Sequence, residues 1–181
     1  MPQPIRQRDR VLTRAQQGEP PARRLLVERH GPRVWSLCAR LAAGEAEDCY
    51  QLIWEKVLRA LPGFDPDGAA SFDTWIGTIA RRTLIDHFRR RQVRGEVVDL
   101  EGLRCAGVGP EGHVVQRQRA ALLEAALQRL PSDQRRVVVL HHLEGVALAT
   151  LAEEEGVAIG TIKSRLHRGR GRLAAILGGN P

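Results

Sequence analysis

Apolar residues recur along most of this chain three and four positions apart, and no stretch alternates with period two. That spacing gives a helix one stripe to bury and gives a strand no buried face, so the fold class is all-α. Residues 23–42 place Leu26, Val34, Leu37, Cys38 and Leu41 on the helical period, with a break expected at Gly31-Pro32. Residues 45–61 carry the clearest stripe: Cys49, Leu52, Ile53, Val57 and Leu61. Pro62-Gly63 ends it, because proline cannot continue a helix and glycine tolerates the turn. Next comes a loop dense in turn formers, Phe64-Asp65-Pro66-Asp67-Gly68-Ala69-Ala70-Ser71. Ser71 or Asp73 can cap the helix after it, which holds Trp75, Ile76, Ile79, Leu84 and Ile85 on one side.

From residue 92 the period dissolves into a glycine-rich stretch with Pro110, as a linker would. Order returns at Gln116. Leu122, Leu123, Ala126, Leu127 and Leu130 form a helix that Pro131 stops, and Ser132 is placed to cap the next, which runs to Gly145. Two shorter helices follow, over 148–154 and 159–177. The pattern predicts two small helical domains, 1–94 and 117–178, joined by a flexible linker at 95–116.

Within 147–167 the register is that of a helix-turn-helix. Ala152 is small where two helices must approach, Gly156 can take positive φ at the turn, and Ile162 returns an apolar side chain to the interface. Lys163, Arg165, Arg168, Arg170 and Arg172 make the second helix cationic, and no acidic residue occurs from Gly156 to the chain end. Thr161, Lys163, Ser164, Arg165, His167 and Arg168 lie where a recognition helix meets base edges, and such side chains can bond guanine O6 and N7 or adapt to other bases.

The charge of +7 over 181 residues points to a polyanionic partner. A second cationic block comprises Arg81, Arg82, Arg89, Arg90, Arg91 and Arg94. All seven aromatic residues lie between Trp35 and Phe88, so rings that could stack unpaired bases belong to the first half alone. Asp65, Ser71, Phe72 and Trp75, beside those arginines, would suit a melted strand with one base extruded. For Trp75 the alternative is a core role. Three scattered cysteines, Cys38, Cys49 and Cys105, suit a reducing compartment and inert packing better than a disulfide framework. No apolar run approaches the roughly 18–20 residues needed to cross a bilayer, and the N-terminus has no secretory pattern, so a cytoplasmic protein without membrane insertion is expected. His141-His142 would point about 100° apart on a helix and suit no shared metal ion, and no phosphate loop, nucleophile elbow or HExxH is present. No enzyme, cofactor or metal site is expected.

With these residues in view, the chain resembles the extracytoplasmic-function sigma factors of the sigma-seventy family. Phe72-Asp73-Thr74-Trp75-Ile76-Gly77-Thr78-Ile79-Ala80-Arg81, closed by Asp86 and Arg89-Arg90-Arg91, is similar to the family's region two. Leu130-Pro131, Gln134-Arg135, Leu143-Glu144-Gly145 and the segment from Gly160 to Leu166 are similar to region four. Ala46-Glu47-Asp48 with Gln51 is similar to the helix that docks on the β′ clamp of core RNA polymerase. The resemblance implies that Glu47, Asp48, Gln51 and Glu55 contact polymerase. Region two would open the minus-ten element, with loop 65–71 holding an extruded base. Region four would read the minus-thirty-five element and meet the β flap. An anti-sigma factor and a stress or envelope response are implied as well. Leu52, Leu148, Thr150 and Ala158 depart from the family's usual residues, and Gly169 and Gly171 suggest a recognition helix whose end is ordered only on DNA. A repressor that never touches polymerase would explain 147–172 but leave Asp48, Gln51 and the 72–91 block without a purpose.

Overall fold

Eight α-helices and no strand make up the described residues, 10–42, 44–93 and 114–178, of a computed structural model. In chain order they are α1 (Arg10–Gln16), α2 (Pro20–Leu41), α3 (Ala46–Ala60), α4 (Phe72–Val93), α5 (Val114–Gln128), α6 (Ser132–Val138), α7 (Leu148–Glu155) and α8 (Ile159–Ile176). The region expected to link the halves lies mostly outside the described residues, and α5 begins before its expected end at 116.

Local chemistry sets several boundaries. Pro20 occupies the start of α2, where its missing N–H costs no helical hydrogen bond. The Ser71 hydroxyl accepts the Thr74 N–H at 3.2 Å and so caps α4, whereas Asp73 bonds His30 Nδ1 at 2.7 Å instead. Gly156 takes φ of 65° after α7, and the N–H groups of Gly156 and Val157 bond the Glu153 and Ala152 carbonyls, the paired pattern that closes a helix on a left-handed residue.

Elsewhere packing overrides local expectation. α2 does not break at Gly31-Pro32. It runs through to Leu41, because Val34, Leu37, Cys38 and Leu41 are all buried, and a Cβ at Gly31 would stand 2.6 Å from the Tyr50 hydroxyl. Glycine there lets α3 lie close, and that burial offsets the proline's lost bond. Ser132 does not cap α6; Pro131 holds the cap position and its carbonyl accepts from Gln134 and Arg135, so Ser132 is already helical. The following turn widens to a π-turn at Val139–Leu143, which keeps Leu140 fully buried and ends as Gly145 takes φ of 69°. Helix α1 escaped the periodicity, being a single two-turn segment with Leu12 and Ala15 as its buried residues.

One apolar core runs through α2, α3 and α4 (Leu37, Ile53, Val57, Leu84, Phe88) into the second half (Leu127, Leu130, Val137, Leu140, Leu151, Ile162, Leu166). A smaller cluster joins Leu12 and Ala15 of α1 to Leu26, Leu61 and Phe64.

The recognition-helix end is not frayed. α8 continues to Ile176, and Gly169 is a notch against α6: a Cβ there would stand 2.8 Å from Val138 Cγ2 and 3.3 Å from Gln134 Cβ. Gly171 faces open space. Gly171→Ala is therefore expected to raise stability by up to about 1 kcal/mol. Gly169→Ala should lower it by about 1–3 kcal/mol through overpacking, despite the same gain in helix propensity. Denaturant midpoints of the two variants against the parent chain check both signs.

Candidate nucleic-acid interface

The helix-turn-helix is built as its register requires. Leu151 and Ile162 are fully buried, Ala152 and Leu166 nearly so, and α7 packs on α8. Their burial turns Thr161, Lys163, Ser164, His167 and Arg168 outward, and all five are exposed. Lys163, Ser164, His167 and Arg168 line one open, shallow surface. Ala158 stands at the cap of α8 with no side-chain hydrogen bond. The exposed N-terminal half of this helix is thus cationic and carries hydroxyl and imidazole groups, the chemistry that reads base edges in a major groove.

Arg165 is placed differently. Its guanidinium bonds Glu155 at 2.6 Å and lies 3.3 Å from Asp133, with the side chain only 15% exposed. Arg136 shares Glu155 at 2.7 Å. Arg165 therefore fastens α8 to α7 and α6 rather than standing in the exposed row. Sequence spacing missed this because a buried and an exposed arginine look alike in a charge run.

In the first half, Phe64, Phe72 and Trp75 form a ring cluster with centroids 4.9–5.6 Å apart, Trp75 stacked on Phe72. All three pack with the smaller core. They brace both ends of loop 65–71 from beneath. The loop itself is largely exposed and internally tied: Asp65 accepts the Asp67 N–H at 2.9 Å through its side chain and the Gly68 N–H at 3.2 Å through its carbonyl. Ser71 ends it, its hydroxyl 2.9 Å from that of Thr74.

Along α4 the cations divide. Arg90 is exposed, while Arg91 bonds Glu45 at 3.0 Å beside His87 at 2.6 Å. Arg81 makes a bidentate pair with Glu154 of α7, at 2.7 and 2.8 Å, and Arg82 reaches the same carboxylate at 3.3 Å. Arg89 donates to the Glu154 carbonyl at 3.4 Å. Burial pushes the Glu154 carboxyl up, but the hydrogen bonds and charges of Arg81 and Arg82 outweigh it and leave the group below the usual carboxylate range. Two more pairs cross between the halves, Arg33–Glu144 at 3.0 Å and Arg40–Glu124 at 2.6 Å. In each the arginine comes from the first half and the glutamate from the second. A cavity of ≈ 130 Å³, lined by Arg33, Thr78, Arg81 and Glu144 among others, lies beside these pairs between the halves.

Helix α3 shows a third surface. Cys49, Ile53, Trp54 and Val57 are buried, which leaves Glu47, Asp48, Gln51 and Glu55 exposed together. Glu55 holds Arg59 one turn on. Burial, then nearby Cys49, raises the Cys38 thiol to about 12; burial, Glu45 and Asp48 raise Cys49 to about 11, so neither forms a thiolate readily. Cys105 lies outside the described residues. His141 Nδ1 donates to the Val146 carbonyl at 2.8 Å, which ties it to the turn before α7. No group of three or more metal-binding side chains gathers among the described residues, and no helix there is long and apolar enough to cross a membrane.

An all-helical chain whose second half is a basic helix-turn-helix is a DNA-binding protein of the sequence-reading kind. Comparison with known proteins narrows the class. The family model Sigma-70 region 2 matches residues 26–94, and Sigma-70, region 4 matches residues 120–173. The chain is 31% identical over 161 residues to the ECF RNA polymerase sigma factor SigW of Bacillus subtilis, covering 82% of this chain and 84% of that protein. It is 30% identical over 174 residues to the ECF RNA polymerase sigma-E factor of Escherichia coli K12, covering 90% of each. With SigE of Mycolicibacterium smegmatis it shares 33% over 153 residues, 82% of this chain but 58% of the longer relative. Among solved structures, the sigma factor RpoE of Bartonella quintana, crystallised with the anti-sigma factor NepR, has the same fold: TM-score 0.59, 24% identity, 87% of this chain and 98% of that one. The chain belongs to the extracytoplasmic-function sigma factors of the sigma-70 family.

Proposed function

We propose that this chain docks on core RNA polymerase through Glu47, Asp48, Gln51 and Glu55 of α3 and directs initiation at promoters that its two halves read separately. The observation that carries this reading is the division of chemistry between surfaces. The recognition face of α8 has exposed cations and no acidic residue, whereas α3 offers an exposed acidic and amide face. The first suits DNA and the second does not. Loop 65–71, Phe72 and the arginines of α4 would hold the opened minus-ten strand, with Trp75 supporting them from the ring cluster. Thr161, Lys163, Ser164, His167 and Arg168 would read the minus-thirty-five element as duplex. A repressor acting without polymerase would give the α3 face nothing to do.

The reading requires the halves to part. Two elements about 25 base pairs apart are separated by roughly 85 Å of duplex at 3.4 Å per pair. A folded chain of this length spans only about 40 Å. Arg81 and Arg82 must therefore leave Glu154 before region two and region four can engage one promoter. An anti-sigma factor, as in the relative solved in complex with one, would act by keeping the halves together, in a cytoplasmic protein.

Purified chain with core polymerase should start transcripts at promoters enriched from a random-sequence library by the holoenzyme itself. On those promoters, Lys163→Ala or Arg168→Ala should cost about 1–3 kcal/mol at the upstream element and relax its sequence preference, measured by footprinting across variant sequences. Tight operator binding by the chain alone, with no transcript, would favour the repressor.

A further inference from the structure

The loop assigned to the opened strand starts at a turn that a side chain from a distant helix also ties down. After α3 the chain makes a 3-10 turn at Leu61–Gly63, and Phe64 then leaves in an extended conformation with ψ of 126°. The Leu61 carbonyl accepts the Phe64 N–H at 3.1 Å. The Phe64 carbonyl opens onto the loop, where no helical N–H follows it. A side chain from 48 residues earlier supplies the donor: Gln16 Nε2 lies 2.7 Å from the Phe64 carbonyl and 3.2 Å from that of Leu61.

Gln16 is the last residue of α1. Its place is fixed by the smaller core, in which Leu12 and Ala15 pack with Leu26, Leu61 and Phe64. The Phe72 and Trp75 rings also rest on that cluster. Each loop end is thus pinned differently: the far end by the Ser71 cap and Phe72, the near end by the Phe64 ring and the Gln16 amide. The matched region-two segment begins at residue 26, so α1 lies wholly outside it. A flexible amide with two donors aimed at two carbonyls of one turn fixes where the backbone enters the loop, and a group meant to receive an extruded base must be held in place before the base arrives.

We infer that Gln16 is a positioning residue for promoter opening: through the Leu61 and Phe64 carbonyls it sets the loop that receives the unpaired base. The inference rests on the proposed role of loop 65–71. Gln16→Leu keeps the volume and removes both donors, Gln16→Glu keeps size and polarity without a donor, and Gln16→Lys restores a donor on a stem of similar reach.

The experiment uses the full chain with core polymerase on a library-selected promoter. Holoenzyme formation, upstream footprint and permanganate reactivity of unpaired thymines are measured for each variant, with melting temperature alongside. Gln16→Leu and Gln16→Glu should lower opening per bound holoenzyme about fivefold, the equivalent of one hydrogen bond, with the upstream footprint unchanged. Gln16→Lys should recover most of it. If opening falls only in proportion to holoenzyme formation, or tracks melting temperature across the three variants, Gln16 is structural alone and the inference is overturned. Ala70→Glu, which sets a carboxylate on the exposed loop, separates the two readings. If it leaves opening intact, the loop assignment fails; if it blocks opening while Gln16→Leu opens normally, only the inference about Gln16 fails.

Discussion

With Asp48 changed to arginine and Gln51 to alanine, the chain is expected to lose affinity for core RNA polymerase by about a hundredfold or more, since a charge set against its like at an interface costs several kcal/mol. Helix content should not change. Both residues are exposed on α3 while Cys49, Ile53 and Val57 carry its packing, so neither contributes to the core. One opposing effect is local. Asp48 lies in the first turn, where an acidic side chain favours the helix dipole, and reversing its charge costs about 0.3–1 kcal/mol of stability. That is small beside the binding effect and is visible separately in a thermal melt. Glu55→Ala should do less, because Glu55 is already paired with Arg59 on the surface. Co-purification with tagged core polymerase, with circular dichroism on the same samples, checks the result. Loss of folded structure in the double variant, or unchanged polymerase binding, would remove α3 as the docking face.

What the sequence made legible was what short-range chemistry decides. The Ser71 cap, the left-handed Gly156 and the buried Ala152 and Ile162 follow from groups within a few residues of one another. Failures came where a distant element outweighed a local rule. Tyr50 fills the space at Gly31 and the buried face of α2 carries the helix through Pro32. Val138 occupies the notch at Gly169, so a residue that weakens a lone helix is needed for α8 to seat on α6. The candidate site divided in the same way. Exposure on α8 followed from the apolar stripe, since burying Ile162 and Leu166 fixes which side faces out. The partners of Arg81 and Arg165 did not follow, because charge pairing between residues far apart in sequence leaves no periodic mark. Helix α1 was missed because two buried side chains make no repeat.

Reversing the charge of Glu154 is expected to open the free chain. The Glu154 carboxylate meets both Arg81 and Arg82, and its carbonyl also receives Arg89. At 12% and 15% exposure, the Glu154 and Arg81 side chains lie between two regimes: an exposed pair is worth at most about 1 kcal/mol, while breaking a buried one costs about 3–5 kcal/mol. In Glu154→Lys three arginines face a like charge, so the penalty exceeds simple loss of the pair. The remaining cross-contacts are Arg33–Glu144, Arg40–Glu124, Gln128 Nε2 to the Ala39 and Arg40 carbonyls, Arg136 over the Phe88 ring at 5.1 Å and the apolar core that both halves share. The charge reversal therefore shifts the balance toward the open form against that core. Scattering should show the radius of gyration rising from about 16 Å, the value for a compact chain of this length. Binding of single-stranded DNA by the free chain should strengthen at the same time, because Arg81, Arg82 and Arg89 are released to phosphates. Acid should act in the same direction. The Glu154 carboxyl is held below its ordinary value of 4.5, so the pair contributes fully above that value and is lost as pH falls through the lowered one. Salt should loosen wild type and leave Glu154→Lys nearly unchanged. The exchange Arg81→Glu with Glu154→Arg separates the latch from DNA contact: it should restore the compact form yet not restore strand binding to the wild-type level. A wild-type chain already extended at moderate salt, with Glu154→Lys no different, would show that these pairs do not hold the halves together.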